Sequence, residues 1–320
     1  MDERGNPTYL GCWCFIMVKR FNCPDRKLVE CDDDQSQFVA YINPTEAEKR
    51  YLVEALKLDE HTLASALDPD ELSRLEFEPE HVAIIFKRPR NYSAKDQFLF
   101  KVSSIGVFLF KDKLVLVTAE DVPLFNSMTF NRPPKPAFVM LRMIYRSIFH
   151  FLEHLKIISQ ISDELQTKIN TAMENRQLIN LFTLEKSLEY YLNSINSNGA
   201  LIEKLRTNST KIGFDTEEQE LLDDIYIENN QCFKQAEIYS NILASLMDAR
   251  ASIVSNNLNV LLKTLNIITI CIMVPTLVVS IFSMNVKIPL AEQPTAFWTI
   301  MLMALLSVTL VIFVWRYRRW

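Results

Sequence analysis

Two uncharged, strongly apolar runs lie close together near the end of the chain. Leu265–Met284 and Ala296–Trp315 each contain twenty residues and no charged side chain. About twenty apolar residues are needed for a helix to cross the hydrocarbon core of a bilayer. Only the eleven residues Asn285–Thr295 connect the runs. The pattern therefore predicts a hairpin of two membrane-spanning helices.

Polar side chains recur along one side of the first span, and we call these positions the polar stripe. Steps of three and four residues place them on one face of a gently supercoiled helix. Lipid offers polar groups no partner, so such a face meets protein or water. Two structures fit: a seam between helices, or a pore lined by this face in a symmetric oligomer. The stripe comprises Asn259, Leu262, Asn266, Thr269, Met273, Thr276, Ser280 and Ser283.

No charged residue lies in the polar stripe, so an ion passing along it would meet neutral oxygens. That suits a cation that keeps its water shell, and magnesium dehydrates reluctantly. Pro275 lies inside the span and either kinks the helix or is tolerated locally.

Basic residues flank the spans on one side of the hairpin, whereas the connecting loop carries one basic residue, Lys287, and one acid, Glu292. An excess of Lys and Arg marks the cytoplasmic side. Both termini are therefore expected in the cytosol, with the loop outside. The flanking basic residues are Arg250, Lys263, Arg316, Arg318 and Arg319.

Upstream of the spans, short apolar runs indicate an α/β region that extends to about residue 135. Asn43 and Pro44 open one predicted helix, and Asp59–Leu67 forms a second. Lys111–Lys113 reads as a hairpin turn. The predicted strands are Cys12–Val18, Lys27–Cys31, His81–Arg88, Val102–Phe110 and Lys113–Ala119.

Long helices follow this region. Ala137–Met173 and Gln177–Lys211 are predicted to run in opposite directions, and Gly213 breaks the pattern. A continuous helix over Thr216–Ser283 would be about 100 Å long at 1.5 Å per residue. The predicted fold is an α+β membrane protein with an α/β domain (1–135), a helical domain and stalk (136–262) and a transmembrane pore domain (263–320).

Composition excludes several classes of protein. The formal charge of -5 and the absence of a basic patch argue against nucleic-acid binding. The first residues lack the pattern of a signal peptide. The sequence contains no phosphate-binding loop of the kind that would indicate a nucleotide-driven enzyme, so transport would be passive.

Two pairs of residues could bind a metal but also have simpler explanations. Cys12 and Cys14 could bind a metal or lie in a buried strand, and His150 and His154 could bind zinc or pack on a helix face.

The run NVLLKTLNIITICIMVPTLVVSIFSMNVKIPL, residues 259–290, resembles the CorA family of divalent-cation channels, as do the second span and the basic, aromatic tail. The resemblance covers essentially the whole chain and is strongest over its last 75 residues. It implies a homopentamer in which the first span of each subunit lines the pore.

The resemblance also implies roles for individual residues. Asn285 would form an outer ring that receives a hydrated cation, and Leu262 and Leu265 would form a hydrophobic gate. Ser283 stands where the family has glycine. The candidate pore residues are Asn285, Met284, Ser283, Thr276, Met273, Thr269, Asn266, Leu265, Leu262 and Asn259.

Magnesium-gated members of that family bind cytosolic ions between subunits. Asp248 and Asp224 match the family's acidic stalk positions. The family's acidic pair in the α/β domain falls on Ala64 and Ser65, and the nearest acids are Asp68 and Asp70. These four aspartates are the candidate regulatory ligands.

The sequence thus predicts a passive homopentameric channel for divalent cations, most readily Mg²⁺, in a bacterial inner (plasma) membrane. Its expected partners are copies of itself, lipid and the cation. Transport of Zn²⁺, Co²⁺ or Ni²⁺ is one alternative. A non-conducting, membrane-anchored sensor or scaffold is another.

Overall fold

The computed structural model describes residues 17–24, 26–33, 35–92, 98–121, 128, 130, 133–171, 175–284 and 294–318. The chain divides into two compact units, Met1–Leu246 and Met247–Trp320. The bounds given above for three domains stay a prediction.

The first unit is built on a seven-stranded mixed sheet with the order β2-β1-β3-β7-β6-β5-β4. Among the described strands only β3 and β7 pair in parallel. Parallel pairing requires a long crossover, which the two helices and three strands between β3 and β7 supply. The strands are β1 Met17–Asn22, β2 Val29–Glu30, β3 Phe38–Ile42, β4 Arg74–Phe77, β5 Val82–Pro89, β6 Val102–Leu109 and β7 Leu114–Thr118.

Two short helices, α1 (Glu46–Glu54) and α2 (Glu60–Leu67), cover one face of the sheet. Their buried side chains join residues of β3, β6 and β7 in one apolar core. α2 lies very close to β6, because a Cβ added at Gly106 would lie 2.4 Å from the Cβ of Ala66. Glycine at this position lets the helix approach the strand.

The sequence misplaced some elements of this region. The cap of α1 is Thr45, whose side chain and that of Glu48 form a reciprocal capping box, and Asn43 precedes it with a φ of 47°. β3 and β4 were not predicted. β3 is buried at all five positions, so it lacks the apolar–polar alternation of a half-buried strand. Most of the predicted strand Cys12–Val18 lies outside the described residues.

The other face of the sheet carries α3 (Pro136–Thr171) and α4 (Asn175–Thr207). Ser147 of α3 and Asn198 of α4 both donate side-chain hydrogen bonds to the Lys87 carbonyl of β5, at 2.9 and 2.8 Å. These bonds hold the helix pair against the sheet at one point.

A short helix, α5 (Ser209–Ile212), ends at Gly213, whose φ of 87° suits glycine. Asp215 and Glu218 then cap α6 reciprocally through each other's backbone N–H groups, at 2.8 and 2.9 Å. α6 (Thr216–Phe282) is 67 residues long, and α7 is Ala296–Arg318. The predicted continuous helix is confirmed.

Candidate ion pathway

The part of α6 in the second unit has one shielded side. The only other described helix of this unit is α7, so the shielding marks the side of α6 that faces it. Within the span 265–284, six residues of α6 are partly buried there, and they follow one another at short helical steps. They are Ile267, Cys271, Val274, Pro275, Val278 and Phe282.

The polar stripe occupies the opposite side of α6. All eight of its positions are exposed within the chain. At about 100° per residue, their mean direction lies roughly opposite to the partly buried side. The stripe is therefore not the seam between the two spans of one hairpin, and its polar groups need water or another copy of the chain.

Hydroxyl groups in the stripe bond to their own helix. Thr269 Oγ1 donates to the Leu265 carbonyl at 2.9 Å, and Thr276 Oγ1 donates to the Ile272 carbonyl at 2.6 Å. Each hydroxyl has one proton and two lone pairs. With the proton used inside the helix, the lone pairs remain to accept hydrogen bonds from water around a cation.

The stripe meets a groove between the spans, beside the C-terminal end of α7. Asn266 and Thr269 form part of one wall, and Leu310 and Trp315 of α7 form part of the other. The groove has a volume of about 710 Å³. At this end the stripe thus borders α7 as well as the open side of α6.

α6 ends just before the Ser-Met-Asn sequence. The Ser283 N–H and Oγ both donate to the Ser280 carbonyl, at 3.2 and 3.0 Å. Ser283 is not among the described non-glycine residues with positive φ, so its conformation here does not require glycine. Asn285 lies outside the described residues. The helix assignment continues through Pro275, as expected for a proline that is tolerated locally.

The predicted gate residues both lie on the surface of α6. Leu262 is 46% exposed and Leu265 is 54% exposed. Neither side chain is covered within its own chain, so a gate at this level would have to form between subunits.

The candidate regulatory acids are not assembled within one chain. Asp248 and Asp224 are exposed on α6. Asp68 Oδ1 accepts the Asp70 N–H at 2.9 Å, which fixes the turn after α2. Within the described residues, no group of three or more His, Cys, Asp or Glu side chains could hold a metal ion.

A buried lysine underlies this turn, and the sequence analysis missed it. Lys87 Nζ donates to the Pro69 carbonyl at 2.5 Å and to Ser104 Oγ at 3.0 Å. Burial lowers the pKa of Lys87, and the nearby Asp70 and Asp68 oppose that effect. The sequence signal for it was a lysine at an inward position of a mostly apolar strand.

The two histidines of α3 have partners that do not resemble a zinc site. His154 Nδ1 lies 2.6 Å from the Tyr191 hydroxyl, and His150 Nδ1 lies 3.2 Å from an Arg88 nitrogen. A guanidinium has no acceptor, so His150 Nδ1 accepts the bond. His150 thus joins α3 to β5, and His154 joins α3 to α4.

A unit built on a mixed sheet, one very long helix and two apolar C-terminal helices define a class of two-span membrane protein. α6 and α7 are both long and apolar enough to cross a bilayer. A family model described as CorA-like Mg²⁺ transporter protein matches residues 33–318. The chain belongs to this family.

Similarity to individual proteins extends over almost the full length. The chain is 25% identical over 316 residues to the cobalt/magnesium transport protein CorA of Methanocaldococcus jannaschii, covering 92% of this chain and 96% of that protein. The complete structure of the CorA magnesium transporter from the same organism matches with a TM-score of 0.79 at 20% identity, over 93% of this chain and 96% of that one.

Two further solved structures share the fold. The full-length CmaX protein matches with a TM-score of 0.69 at 17% identity, over 95% of this chain and 98% of that one. The cytoplasmic domain of ZntB from Vibrio parahaemolyticus matches with a TM-score of 0.59 at 12% identity, over 75% of this chain and 99% of that one. The predicted family and fold class are confirmed. The chain is a membrane transporter of divalent cations and not an enzyme.

Proposed function

We propose that five copies of this chain form a channel that conducts hydrated Mg²⁺ passively along the polar stripe, under control of the first unit. The observation that carries the proposal is the exposure of all eight stripe positions on the side of α6 away from its partly buried face. A ring of identical helices would turn this side toward a shared axis and fill it with water.

The chemistry of the stripe supports a cation that keeps its water. Thr276 and Thr269 offer oxygen lone pairs at the helix surface, and these oxygens accept hydrogen bonds from the water bound to a cation. Mg²⁺ holds its water tightly. Magnesium is also named in the description of the family and in the name of the Methanocaldococcus jannaschii relative.

The proposed location is a bacterial inner membrane with both termini in the cytoplasm. Arg316 and Arg318 follow the second span, and Lys263 precedes the first, which agrees with the excess of positive charge on cytoplasmic sides. Each elementary charge gains about 2.3 kcal/mol per 100 mV. A divalent cation gains about twice as much, so uptake needs no other energy source.

The test is uptake into proteoliposomes with a panel of Mg²⁺, Co²⁺, Ni²⁺ and Zn²⁺. Preferred Mg²⁺ uptake is expected. Cobalt is the second candidate cargo, because it stands in the relative's name. Preference for Zn²⁺ would contradict the magnesium assignment. Intact pentamers with no flux of any ion would instead support the alternative of a non-conducting, membrane-anchored sensor or scaffold.

Asn285→Ala is expected to abolish Mg²⁺ uptake, because the proposed outer ring would lose the amides that hold the hydrated ion. Asn256→Ala makes the same change at an exposed position of α6 outside the stripe and should leave uptake unchanged. Normal uptake by the Asn285 variant would remove that residue from the pathway.

The cytosolic sensor is a further part of this proposal. Asp248 and Asp224 have exposed side chains that a second copy could reach. Asp70 is a better candidate than Asp68 to share a bound Mg²⁺ with these acids, because the Asp68 carboxylate already accepts a hydrogen bond within its own turn. Loss of Mg²⁺ inhibition in Asp248→Asn, with flux retained, is the expected result.

A further inference from the structure

Three neighbouring strands of the first unit end at a small, highly charged cavity. Its volume is about 140 Å³. Charged and polar residues from the end of β5, the start of β6 and the segment after β7 line it. Those that carry the argument are Arg88, Arg90, Lys101, Ser103, Glu120 and Asp121.

The strand register places four of these side chains on the same face of the sheet. Arg88 is directly opposite Ser103. The Arg90 N–H donates to the Lys101 carbonyl at 2.9 Å, which continues the pairing two residues further. Since alternate residues of a strand share a face, three cationic side chains lie side by side. Like charges at such positions repel each other.

The two carboxylates at the cavity are engaged by other cations. Glu120 forms an ion pair with Arg90. Asp121 accepts hydrogen bonds from Lys19 at 2.7 and 2.8 Å. Neither carboxylate forms an ion pair with Arg88 in the part of the chain that the structure describes.

Arg88 and Ser103 are buried with unused hydrogen-bonding atoms. Arg88 is 5% exposed and Ser103 is 6% exposed. Arg88 Nη1 and Ser103 Oγ have no hydrogen-bond partner among the described residues. A buried donor without an acceptor costs free energy, and a buried charge costs more.

The groups behind Arg88 add no negative charge. His150 accepts one Arg88 hydrogen bond, and burial lowers the pKa values of His150 and His154 to about 4, so both are neutral at pH 7. Burial also lowers the pKa of Arg88, to about 10, which leaves it charged. Glu120 also attracts Arg88, but Glu120 is already paired with Arg90 and Asp121 with Lys19. Among the described residues that line the cavity, cations therefore outnumber carboxylates.

We propose that this cavity binds a tetrahedral oxyanion of the phosphate class, with Arg88 and Ser103 as donors and Arg90 and Lys101 as supporting cations. A guanidinium matches two phosphate oxygens at once. The volume equals that of about four to five water molecules at about 30 Å³ each. It admits a single phosphate group, either free or at the end of a larger molecule.

The experiment is calorimetric titration of the full-length protein in detergent, in chloride buffer, with inorganic phosphate. Arg88→Gln should weaken binding at least about tenfold, because a charged hydrogen bond is lost. Ser103→Ala should weaken it about threefold or more. Lys111→Gln changes an exposed cation in the β6–β7 turn and should bind phosphate normally.

Thermal unfolding provides a second measurement, because a ligand of the folded state raises its midpoint. Phosphate should raise the midpoint of the wild type and of Lys111→Gln, and raise that of Ser103→Ala less. This comparison holds even if Arg88→Gln folds poorly. Absence of phosphate binding, or equal binding by the wild type and Ser103→Ala, would overturn the proposal.

Titration with glycerol phosphate in place of inorganic phosphate separates the two possible sources of the anion. Tighter binding of glycerol phosphate indicates a phosphate ester, and weaker binding indicates free phosphate.

Discussion

The two units of the chain bury their apolar side chains in different ways. In the first unit Phe86, Phe108 and Tyr191 are fully buried by the chain itself. In the second unit, 0% of the residues in the most apolar stretch of α6 and 6% of those in α7 are buried within the chain. The first unit therefore completes its own core, whereas the apolar side chains of the second are left for surroundings outside the chain, such as lipid, to cover.

Polar side chains differ between the units in the same way. In the first unit they bond across elements, as His154 does with Tyr191 and Asn198 with Lys87. In the second, Thr269 and Thr276 bond to the helix that carries them. A single hairpin offers few partners across elements, so local bonds are the ones available within one chain.

Making the same substitution in both units should give the clearest test of this contrast. Phe108 is 0% exposed in the sheet core, and Phe297 is 65% exposed on α7. Phe108→Ala should reduce the free energy of unfolding by about 3–5 kcal/mol, and Phe297→Ala should have little effect. Urea unfolding of the full chain in detergent, followed by circular dichroism, measures both. Similar losses in the two variants would show that the second unit also has a core of its own.

Acidification should destabilise the first unit, and His154 is one of the two buried histidines responsible. Burial, with help from Arg88, lowers its pKa from 6.5 to about 4. The unfolded state therefore binds the proton more readily, and stability falls as the pH drops from about 6.5 to about 4. At 1.36 kcal/mol per pH unit, the loss that His154 alone contributes is about 3 kcal/mol. Thermal unfolding across this range measures it.

His154→Asn provides the comparison for this prediction, since asparagine is not titratable. The variant is expected to be less stable at pH 7 but to lose less stability between pH 6.5 and 4. An unchanged pH dependence would assign the effect to other groups.

The smallest expected effect compares two threonines in the second unit. Thr276 belongs to the polar stripe, whereas Thr309 lies on α7, and both donate to a carbonyl of their own helix. Thr276→Val should reduce Mg²⁺ uptake into proteoliposomes about tenfold, because one acceptor per subunit is lost, which equals about 1.4 kcal/mol. Thr309→Val should not change uptake. Equal effects would place the pathway elsewhere.

The second unit was easier to predict from sequence than the first. Two charge-free runs and a regular step of polar residues were enough to predict both spans and the stripe, because lipid imposes one simple composition. The strand β3 gave no such signal, since it is buried on both faces, and β4 is only four residues long. The start of α1 was misplaced because Asn43, Pro44 and Thr45 all resemble helix caps.

Parts of the candidate sites depend on tertiary structure and could not be read from the sequence. The bond between Asp68 and Asp70 arises from the local turn, and the position of Lys87 beneath it depends on how α2 lies against the sheet. The cavity at Arg88 depends on strand register, because Ser103 faces Arg88 only through β5–β6 pairing. Assembly into a ring involves other copies and stays a prediction.

The hydroxyl bonds of the stripe have a consequence for anions. A chloride ion needs hydrogen-bond donors. The hydroxyl groups of Thr269, Thr276 and Ser283 already donate their hydrogen bonds to backbone carbonyls. At the levels of these three hydroxyls, the wall would favour positive over negative ions without carrying any formal charge. Selection by sign would then depend on where a few hydrogen atoms point.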